Sequence, residues 1–279
     1  MLHTIGHHLF ACGKKSLPKT VTLGDTTYNL SSILKHDFFA ATSLYELLTP
    51  KETSENKPSK IILKINRIHN FLGLPLLWLG QFICEHELSI LKKLSHLPQV
   101  PHILCRYGKT GFIYEYIEGR SLDEKPDIPD DFFDELLQLI YQIHLSDIVY
   151  LDANKKGNIL VADDGKPWLI DFQISLHLGK YCLLSKQLSG YLREILQWSD
   201  LYHLLKHKRR LSPEQLKPHE TKASRHKSIP IKIHRRAVKP LQKLRRNFLR
   251  HMYEKGHMSI EDNSHLSREN NPERFAKLK

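Results

Sequence analysis

Residues 149–173 read V-Y-L-D-A-N-K-K-G-N-I-L-V-A-D-D-G-K-P-W-L-I-D-F-Q, and this stretch decides the fold. Two short apolar runs flank Asp164-Gly165, a dipeptide typical of a two-residue hairpin turn. With that turn, the register of the predicted β-hairpin brings Asn158 opposite Asp171. Opposed residues in a ladder lie about 5 Å apart, and an amide oxygen and a carboxylate at that spacing suit Mg²⁺. Pro167 lacks an amide donor, which favours a strand-start or edge position and leaves room for a register one residue away.

A polar loop precedes this hairpin and contains Asp152 and Lys155. The Asp152 carboxylate can accept the proton of an attacking hydroxyl, and Lys155 can neutralise charge on a transferring phosphoryl group. On their own, two such residues would favour a solvated loop before a hairpin. Followed by the hairpin and the Asp171-Phe172 pair, they favour a phosphoryl-transfer site.

The segment from Tyr150 through Asp152 to Asn158 resembles the catalytic loop of the protein-kinase-like superfamily, and Asp171-Phe-Gln resembles its metal-binding Asp-Phe-Gly. The resemblance implies that Asp152 is the catalytic base and that Asn158 and Asp171 hold Mg²⁺. Three departures are visible: Tyr150 replaces a His, Gln replaces the Gly, and Asn158 follows Asp152 by six residues rather than five. The longer loop is similar to that of bacterial RIO-type and lipopolysaccharide-core kinases.

A strand and a helix upstream match two further parts of the family pattern. Residues 59–65, S-K-I-I-L-K-I, predict a strand whose Lys64 would grip the nucleotide phosphates. Lys60 is the alternative to Lys64 for this role. Without a phosphate-binding role, Lys64 would be an edge-strand lysine that only discourages aggregation. The helical pattern that follows carries Glu87, which the resemblance pairs with Lys64, while Glu85 is the competing choice.

The segment 112–122 resembles the fifth strand and hinge of the family, so Glu115, Tyr116 and Ile117 are expected to bind adenine through backbone groups. A strongly amphipathic helix is predicted after Pro129, and His144 within it is expected to be structural.

Residues 30–47, where the family has its phosphate-covering loop, contain no glycine. The pattern predicts a β-hairpin, and Lys35 is its candidate phosphate contact. Residues other than glycine limit how closely a backbone can approach a ligand.

Length and composition suit one bilobal unit of kinase size with an extension. The 279 residues are 41% hydrophobic, and no run reaches the ~18 apolar residues of a membrane span. The most apolar run, residues 71–83, is expected to pack against the small lobe, with a surface patch for lipid or a lipid-linked substrate as the alternative. No secretory signal is evident, and four dispersed cysteines predict reduced thiols in the cytoplasm.

Basic charge is concentrated at the C-terminus. Residues 221–279 contain 16 Lys/Arg and 5 Asp/Glu, which is +11 of the chain's net +12. Within them, residues 238–253 predict an amphipathic basic helix. It would contact an anionic membrane or dock on the large lobe, and nucleic acid is the less favoured partner.

The expected organisation is an N-terminal extension (1–20), a β-rich N-lobe with hinge (21–117), a mainly helical C-lobe (118–220) and a basic extension (221–279) whose end is disordered. Helical patterns return soon after Asp171, so the long activation segment of typical protein kinases is missing. The sequence thus predicts an α+β, bilobal, protein-kinase-like fold.

The expected activity is transfer of the ATP γ-phosphate, with Mg²⁺ (or Mn²⁺), to a hydroxyl of a lipopolysaccharide-type glycolipid or of a protein Ser/Thr. The expected location is the cytoplasm, with the inner face of the membrane as a peripheral site. The alternative function is a pseudokinase scaffold that binds membrane or nucleic acid through its basic tail. Tyr150 and the glycine-free hairpin favour that alternative.

Overall fold

The computed structural model describes residues 10–13, 15, 17–48, 57–179, 186–225 and 247, with the side chains of 186–189 excepted. The described chain forms two compact units, one of residues 10–89 and 101–117 and one of residues 90–100 and 118–225. The first is rich in strands and the second mainly helical, which confirms the predicted α+β class. The tail helix predicted over 238–253 lies outside the described residues, apart from residue 247.

The first unit is built on a six-stranded antiparallel sheet with the order β1-β2-β3-β4-β6-β5. Its strands are β1 (Thr20–Leu23), β2 (Thr26–His36), β3 (Ala40–Leu47), β4 (Lys60–Asn66), β5 (Ile103–Tyr107) and β6 (Gly111–Glu115). Its core includes Tyr28, Tyr45, Leu63 and Ile113, all with at most 1% exposure. Each buried tyrosine hydroxyl donates to a carbonyl, Tyr28 to that of Pro58 at 2.9 Å, which offsets the cost of burying a polar group.

Helix α1 (Leu77–Lys93) begins in the apolar run at residues 71–83. Gly80 allows this helix to approach the backbone closely, since a Cβ placed there would lie 1.9 Å from the carbonyl oxygen of Arg67. The expected packing of this run against the unit holds only in part, and the alternative, an exposed surface, describes the rest. Its large side chains with exposures of 44% to 62% are Leu72, Leu74, Leu77, Trp78 and Phe82. A helix turns only one stripe inward, and a run that is apolar on every side carries no signal for which stripe that is.

The second unit combines three helices with short strands. The helices are α2 (Phe132–Leu145), α3 (Lys186–Leu211) and α4 (Pro218–Arg225). The strands are β7 (Gly119–Ser121), β8 (Ile148–Val149), β9 (Ile159–Ala162), β10 (Pro167–Leu169) and β11 (Leu176–His177), paired as β10-β9-β7 and β11-β8. The predicted amphipathic helix is α2, whose buried face includes Phe132, Phe133, Leu136 and Ile140. Residues 172–185 separate Asp171 from α3.

The hairpin predicted at β9 and β10 forms, but its two-residue loop is wrong. The amide of Ala162 donates to the carbonyl of Lys166 at 3.0 Å, which encloses three loop residues, 163–165. The last of these, Gly165, has a φ of +82°. A three-residue loop that ends in a left-handed glycine is the next most common hairpin connection after the two-residue one.

The longer loop shifts the register by one residue. Leu169 pairs with Ile159, and the amide of Ile170 donates to the carbonyl of Asn158 at 3.0 Å. Asn158 is therefore opposite Ile170, and Asp171 follows the paired residues.

Among the described residues, no helix combines the length and the apolarity that a membrane crossing needs. In the same part of the chain, Cys12, Cys84 and Cys105 are free thiols, and Cys182 lies outside it.

We expect Gly80→Ala to destabilise the protein by ~1–3 kcal/mol, because the added methyl overlaps a backbone oxygen that cannot move aside easily. Thermal unfolding measures the change. Gly190→Ala is the matched control, since that helical glycine has no neighbouring atom within 4 Å; alanine there should leave stability unchanged or raise it by ~1 kcal/mol. Equal melting temperatures for the two variants would contradict the close packing at Gly80.

Candidate active site

A buried ion pair lies at the centre of the first unit. Lys64 is on the central strand β4, between Thr42 of β3 and Phe112 of β6. Its Nζ atom lies 2.8 Å from Oε1 of Glu87 on α1, and the two side chains are 5% and 3% exposed. A charge buried to this degree needs a partner of opposite sign and well-placed hydrogen bonds. The pair therefore holds a lysine ammonium group at a fixed place beside the sheet.

The two competing residues have other partners. Lys60 has its ammonium 5.4 Å from the centre of the Tyr116 ring, and Glu85 forms an exposed ion pair with Arg106. The predicted contact between Lys64 and Glu87 is thus present, and Lys60 and Glu85 contact other residues.

Of the residues predicted to form the hinge, Glu115 ends β6, and Tyr116 and Ile117 follow it. The amide of Glu115 donates to His102 at 3.4 Å, and that of Tyr116 donates to Lys60 at 3.3 Å. Two of the three amides are thus engaged within the first unit, so adenine recognition here would depend on other backbone groups of the segment.

The glycine-free hairpin expected at residues 30–47 is formed by β2 and β3. Its turn is closed by Asp37, whose Oδ1 accepts the amides of Phe39 at 2.8 Å and Ala40 at 3.0 Å. Lys35 pairs with the same carboxylate at 3.3 Å. Burial raises the pKa of Asp37, but Lys35 and the two amides outweigh burial and bring the pKa below its ordinary value. The carboxylate therefore occupies the two turn amides that a glycine-rich loop would offer to phosphate.

Arg67 contacts the same turn. Its guanidinium donates to the carbonyl of Phe38 at 2.7 Å and lies 3.9 Å from the centre of the Phe38 ring. The backbone amide of Arg67 also donates to Phe39 at 2.8 Å. Because Arg67 is fully buried, these contacts fix the turn rather than offer a cation to a ligand.

In the second unit, Asp152 is the centre of a small polar cluster. Its Oδ2 atom accepts from Lys155 Nζ at 2.6 Å and from Asn158 Nδ2 at 2.8 Å. A 3-10 turn at Lys156–Asn158 takes up the extra loop residue and brings Asn158 back to the aspartate. Asp152 and Asn158 are 7% and 4% exposed. The local backbone thus preorganises the cluster, in which Asp152 and Asn158 are buried and Lys155 is 43% exposed.

Burial raises the pKa of the Asp152 carboxyl, and the nearby carboxylate of Asp171 raises it further, while Lys155 and Asn158 lower it. The net shift is upward from 3.8. A carboxylate with a raised pKa is a stronger proton acceptor, which is what a general base requires.

Asp171 has a left-handed backbone with a φ of +61°. This conformation costs a non-glycine residue energy, and such residues are concentrated at functional sites. No group of three or more His, Cys, Asp or Glu in the described part of the chain could hold a metal ion. Mg²⁺ does not need such a group, because it is commonly held by one or two protein oxygens together with water and phosphate. The Asp171 carboxylate and the amide oxygen of Asn158, whose nitrogen faces Asp152, fit that requirement.

Asp200 supports the candidate site, and the sequence analysis did not identify it. It is fully buried on α3, and its two oxygens accept the amides of Tyr150 at 2.8 Å and Leu151 at 2.7 Å. His144 of α2 lies 3.1 Å from the same carboxylate, which is the structural role expected for that histidine. Leu151 has a φ of +65° and directly precedes Asp152. Asp200 therefore fixes the strained backbone from which the candidate base projects.

A signal for Asp200 was present in the helix pattern. It lies four residues before Leu204, which is 1% exposed, so both occupy the inward stripe of α3. An acidic residue on a buried stripe almost always has a specific partner.

Tyr150 connects the loop to the segment that precedes Asp171. Its ring makes an edge-to-face contact with Phe172, with 5.0 Å between the ring centres, and its hydroxyl donates to the carbonyl of Ile170. Burial, together with the carboxylates of Asp152, Asp171 and Asp200, raises the pKa of Tyr150 well above its ordinary value. The hydroxyl thus remains a hydrogen-bond donor, and Tyr150 supports the site through that bond and its ring packing.

No protein-family model matches the chain, and no curated protein matches it in sequence. The chain is similar to the crystal structure of the BubR1 kinase domain, with 18% identity over 71% of this chain and 66% of that one, and a TM-score of 0.46. It is also similar to the Rio2 kinase-ADP/Mg²⁺-phosphoaspartate complex from Chaetomium thermophilum. That match has 14% identity over 70% of this chain and 61% of that one, and a TM-score of 0.48.

The chain therefore spans less than two thirds of the length of either structure. At TM-scores below 0.5, these likenesses carry no argument about chemistry. The α+β class rests on the strands and helices themselves, and the site rests on the contacts described above.

We expect Asp200→Ala to increase hydrogen exchange at the amides of Tyr150 and Leu151, because both lose their acceptor. An unsatisfied buried amide costs ~1–3 kcal/mol, so the melting temperature should also fall. Exchange measured by NMR or mass spectrometry tests this. Asp163→Ala, at an exposed loop position, is the control, and equal exchange in the two variants would show that Asp200 does not hold the loop.

Proposed function

We propose that the chain is an ATP- and Mg²⁺-dependent phosphotransferase that acts on a hydroxyl group. The observation that carries the proposal is the buried cluster in which Asp152 accepts from Lys155 at 2.6 Å and from Asn158 at 2.8 Å. It is supported by the buried Lys64–Glu87 pair in the first unit. Phosphoryl transfer depends mainly on positioning and charge neutralisation, and these side chains have the required types and fixed positions.

Each residue has a distinct role in the proposed reaction. Lys64, held by Glu87, would neutralise the nucleotide phosphates, and the segment of Glu115, Tyr116 and Ile117 would contact adenine. Asn158 and Asp171 would hold the metal ion. When bound, Mg²⁺ (or Mn²⁺) would supply charge neutralisation on the phosphates.

Asp152 orients the acceptor hydroxyl and takes its proton as the oxygen attacks the γ-phosphorus. The bond between that phosphorus and the β–γ bridging oxygen breaks, and ADP leaves. Its buried setting and raised pKa support this role. Lys155, already in contact with Asp152, compensates negative charge that develops on the phosphoryl oxygens.

The acceptor that we favour is a sugar hydroxyl of a lipopolysaccharide-type glycolipid, with a protein serine or threonine as the other candidate. The short connection at residues 172–185 supports this preference, because extended peptides are held by a longer segment in typical protein kinases. Such an acceptor would place the protein in the cytoplasm at the inner face of the membrane. A labelled-ATP comparison of cell-envelope extract with protein extract distinguishes the two acceptors.

A second candidate function is a pseudokinase scaffold. It is favoured by the turn at Asp37, where a carboxylate already occupies the amides of Phe39 and Ala40. A pseudokinase would bind its partners, with or without nucleotide, and would transfer no phosphate.

We expect Asp152→Asn to reduce phosphate transfer ~10²–10⁴-fold, because an amide cannot accept the hydroxyl proton. Incorporation of labelled phosphate by wild type and variant measures the effect. Asp163→Asn makes the same change at an exposed position and should retain full activity. Equal background incorporation in wild type and Asp152→Asn would contradict the enzyme proposal and favour the pseudokinase.

The pH dependence of the rate should report on Asp152. Because its folded-state pKa is raised, activity should fall as pH decreases through a value above 3.8, where the base becomes protonated. Lys155 is the largest influence that lowers this pKa, so Lys155→Met should move the acidic limb to higher pH. The pH profile of kcat for the two proteins is the measurement. If the acidic limb of the Lys155→Met profile lay at the same pH as that of the wild type, or at a lower one, the assignment of Asp152 as the base would be contradicted.

A further inference from the structure

An apolar surface remains on the first unit after the candidate site is accounted for. Its exposed side chains are Phe39, Leu72, Leu74, Leu77, Trp78 and Phe82. We call this set the apolar ridge. Phe38 contacts both Phe39 and Phe71 edge-to-face, at 5.1 and 5.4 Å between ring centres, which links the hairpin tip to the turn before α1. Residues 71–83 contain no charged side chain and no histidine. Contiguous exposed surfaces of this kind mark interaction sites.

The turn that forms the outer part of the ridge has an unusual residue. Leu72 has a φ of +48° and Gly73 a φ of +86°. A turn with two consecutive positive φ values favours Asn, Asp or Gly at both positions. A leucine there is strained, and 60% of its surface is exposed, so packing within the chain does not account for its presence. Strained residues are kept where a function uses them.

The two residues that flank this turn are paired with each other. The amide of Phe71 donates to the carbonyl of Leu74 at 3.0 Å, and the amide of Leu74 donates to the carbonyl of Phe71 at 2.8 Å. A protein partner that added a strand would need these groups, and they are already engaged. The turn thus presents its leucine side chains as the contact surface.

The charge of the chain supplies the complementary attraction. The net charge is +12, and +11 of it belongs to residues 221–279. An apolar surface and a polybasic segment together bind an anionic bilayer more strongly than either alone. Trp78 and Phe82 are four residues apart on α1, on one face, and tryptophan is enriched at the level of lipid headgroups.

We propose that the apolar ridge is a membrane-docking surface that inserts the Leu72 turn and the exposed face of α1 into the headgroup region of an anionic bilayer. The inference does not depend on the phosphotransferase proposal. It assigns to residues 71–82 a contact with lipid that would bring the chain to a lipid surface whether or not it transfers phosphate.

Leu72→Asn separates docking from folding. Asparagine suits the left-handed turn better than leucine, so the melting temperature should stay the same or rise. Removal of an apolar side chain from the bilayer should weaken binding about tenfold. Leu145→Asn is the matched control, because Leu145 is 63% exposed but lies on the second unit.

The measurement is co-sedimentation of the full chain with phosphatidylcholine vesicles, with and without phosphatidylglycerol. Wild type and Leu145→Asn should bind equally to the anionic vesicles and weakly to the neutral ones, and Leu72→Asn should bind about tenfold less. Equal binding of the two variants, or of the two vesicle types, would overturn the proposal.

A second measurement tests whether protein covers the apolar ridge when no lipid is present. With Trp168→Phe and Trp198→Phe in the full chain, Trp78 is the remaining tryptophan. Its emission should be that of a solvent-exposed indole, and anionic vesicles should shift it to the blue. Blue-shifted emission before vesicles are added would show that another part of the chain or a second copy occupies the ridge, and would overturn the lipid assignment.

Discussion

The candidate site depends on one buried carboxylate, that of Asp200. Its two oxygens hold the amides of Tyr150 and Leu151, and these residues lead directly to Asp152. A buried carboxylate is costly unless donors surround it, and here two amides and His144 do so. The same contacts that stabilise Asp200 hold Leu151 in its left-handed conformation, so the position of the candidate base, Asp152, follows from a helix contact far away in sequence.

The first unit uses an analogous arrangement with opposite charge. The ammonium of Lys64 is held by Glu87 in a setting that excludes water. In the same unit, the β2–β3 turn is fixed by the carboxylate of Asp37 and by the buried guanidinium of Arg67. The Lys64–Glu87 pair and the β2–β3 turn are both held rigid by fixed polar contacts. A rigid turn without glycine can still cover a ligand, but it cannot offer the amides of Phe39 and Ala40 to phosphate while Asp37 occupies them.

Several elements that carry the candidate site could be predicted from the local sequence pattern. The strand with Lys64, the helix with Glu87 and the hairpin after Asp152 follow from periodicity and turn chemistry, which act over a few residues. The details that failed depend on more than local pattern. The hairpin loop has three residues rather than two, and Asp-Gly is compatible with either. The inward stripe of α1 was not readable, because residues 71–83 are apolar on every side.

The α+β class, the strand with Lys64, the helix with Glu87 and most polar residues of the candidate site therefore followed from the sequence. The tertiary structure alone decided that Asn158 lies opposite Ile170, that Asp200 anchors the loop and that Leu72, Trp78 and Phe82 face outward. The physical reason is the separation along the chain over which each effect acts. Propensity and periodicity are properties of neighbouring residues, whereas a buried carboxylate or an exposed apolar face is defined by what the rest of the chain does or does not bring into contact with it.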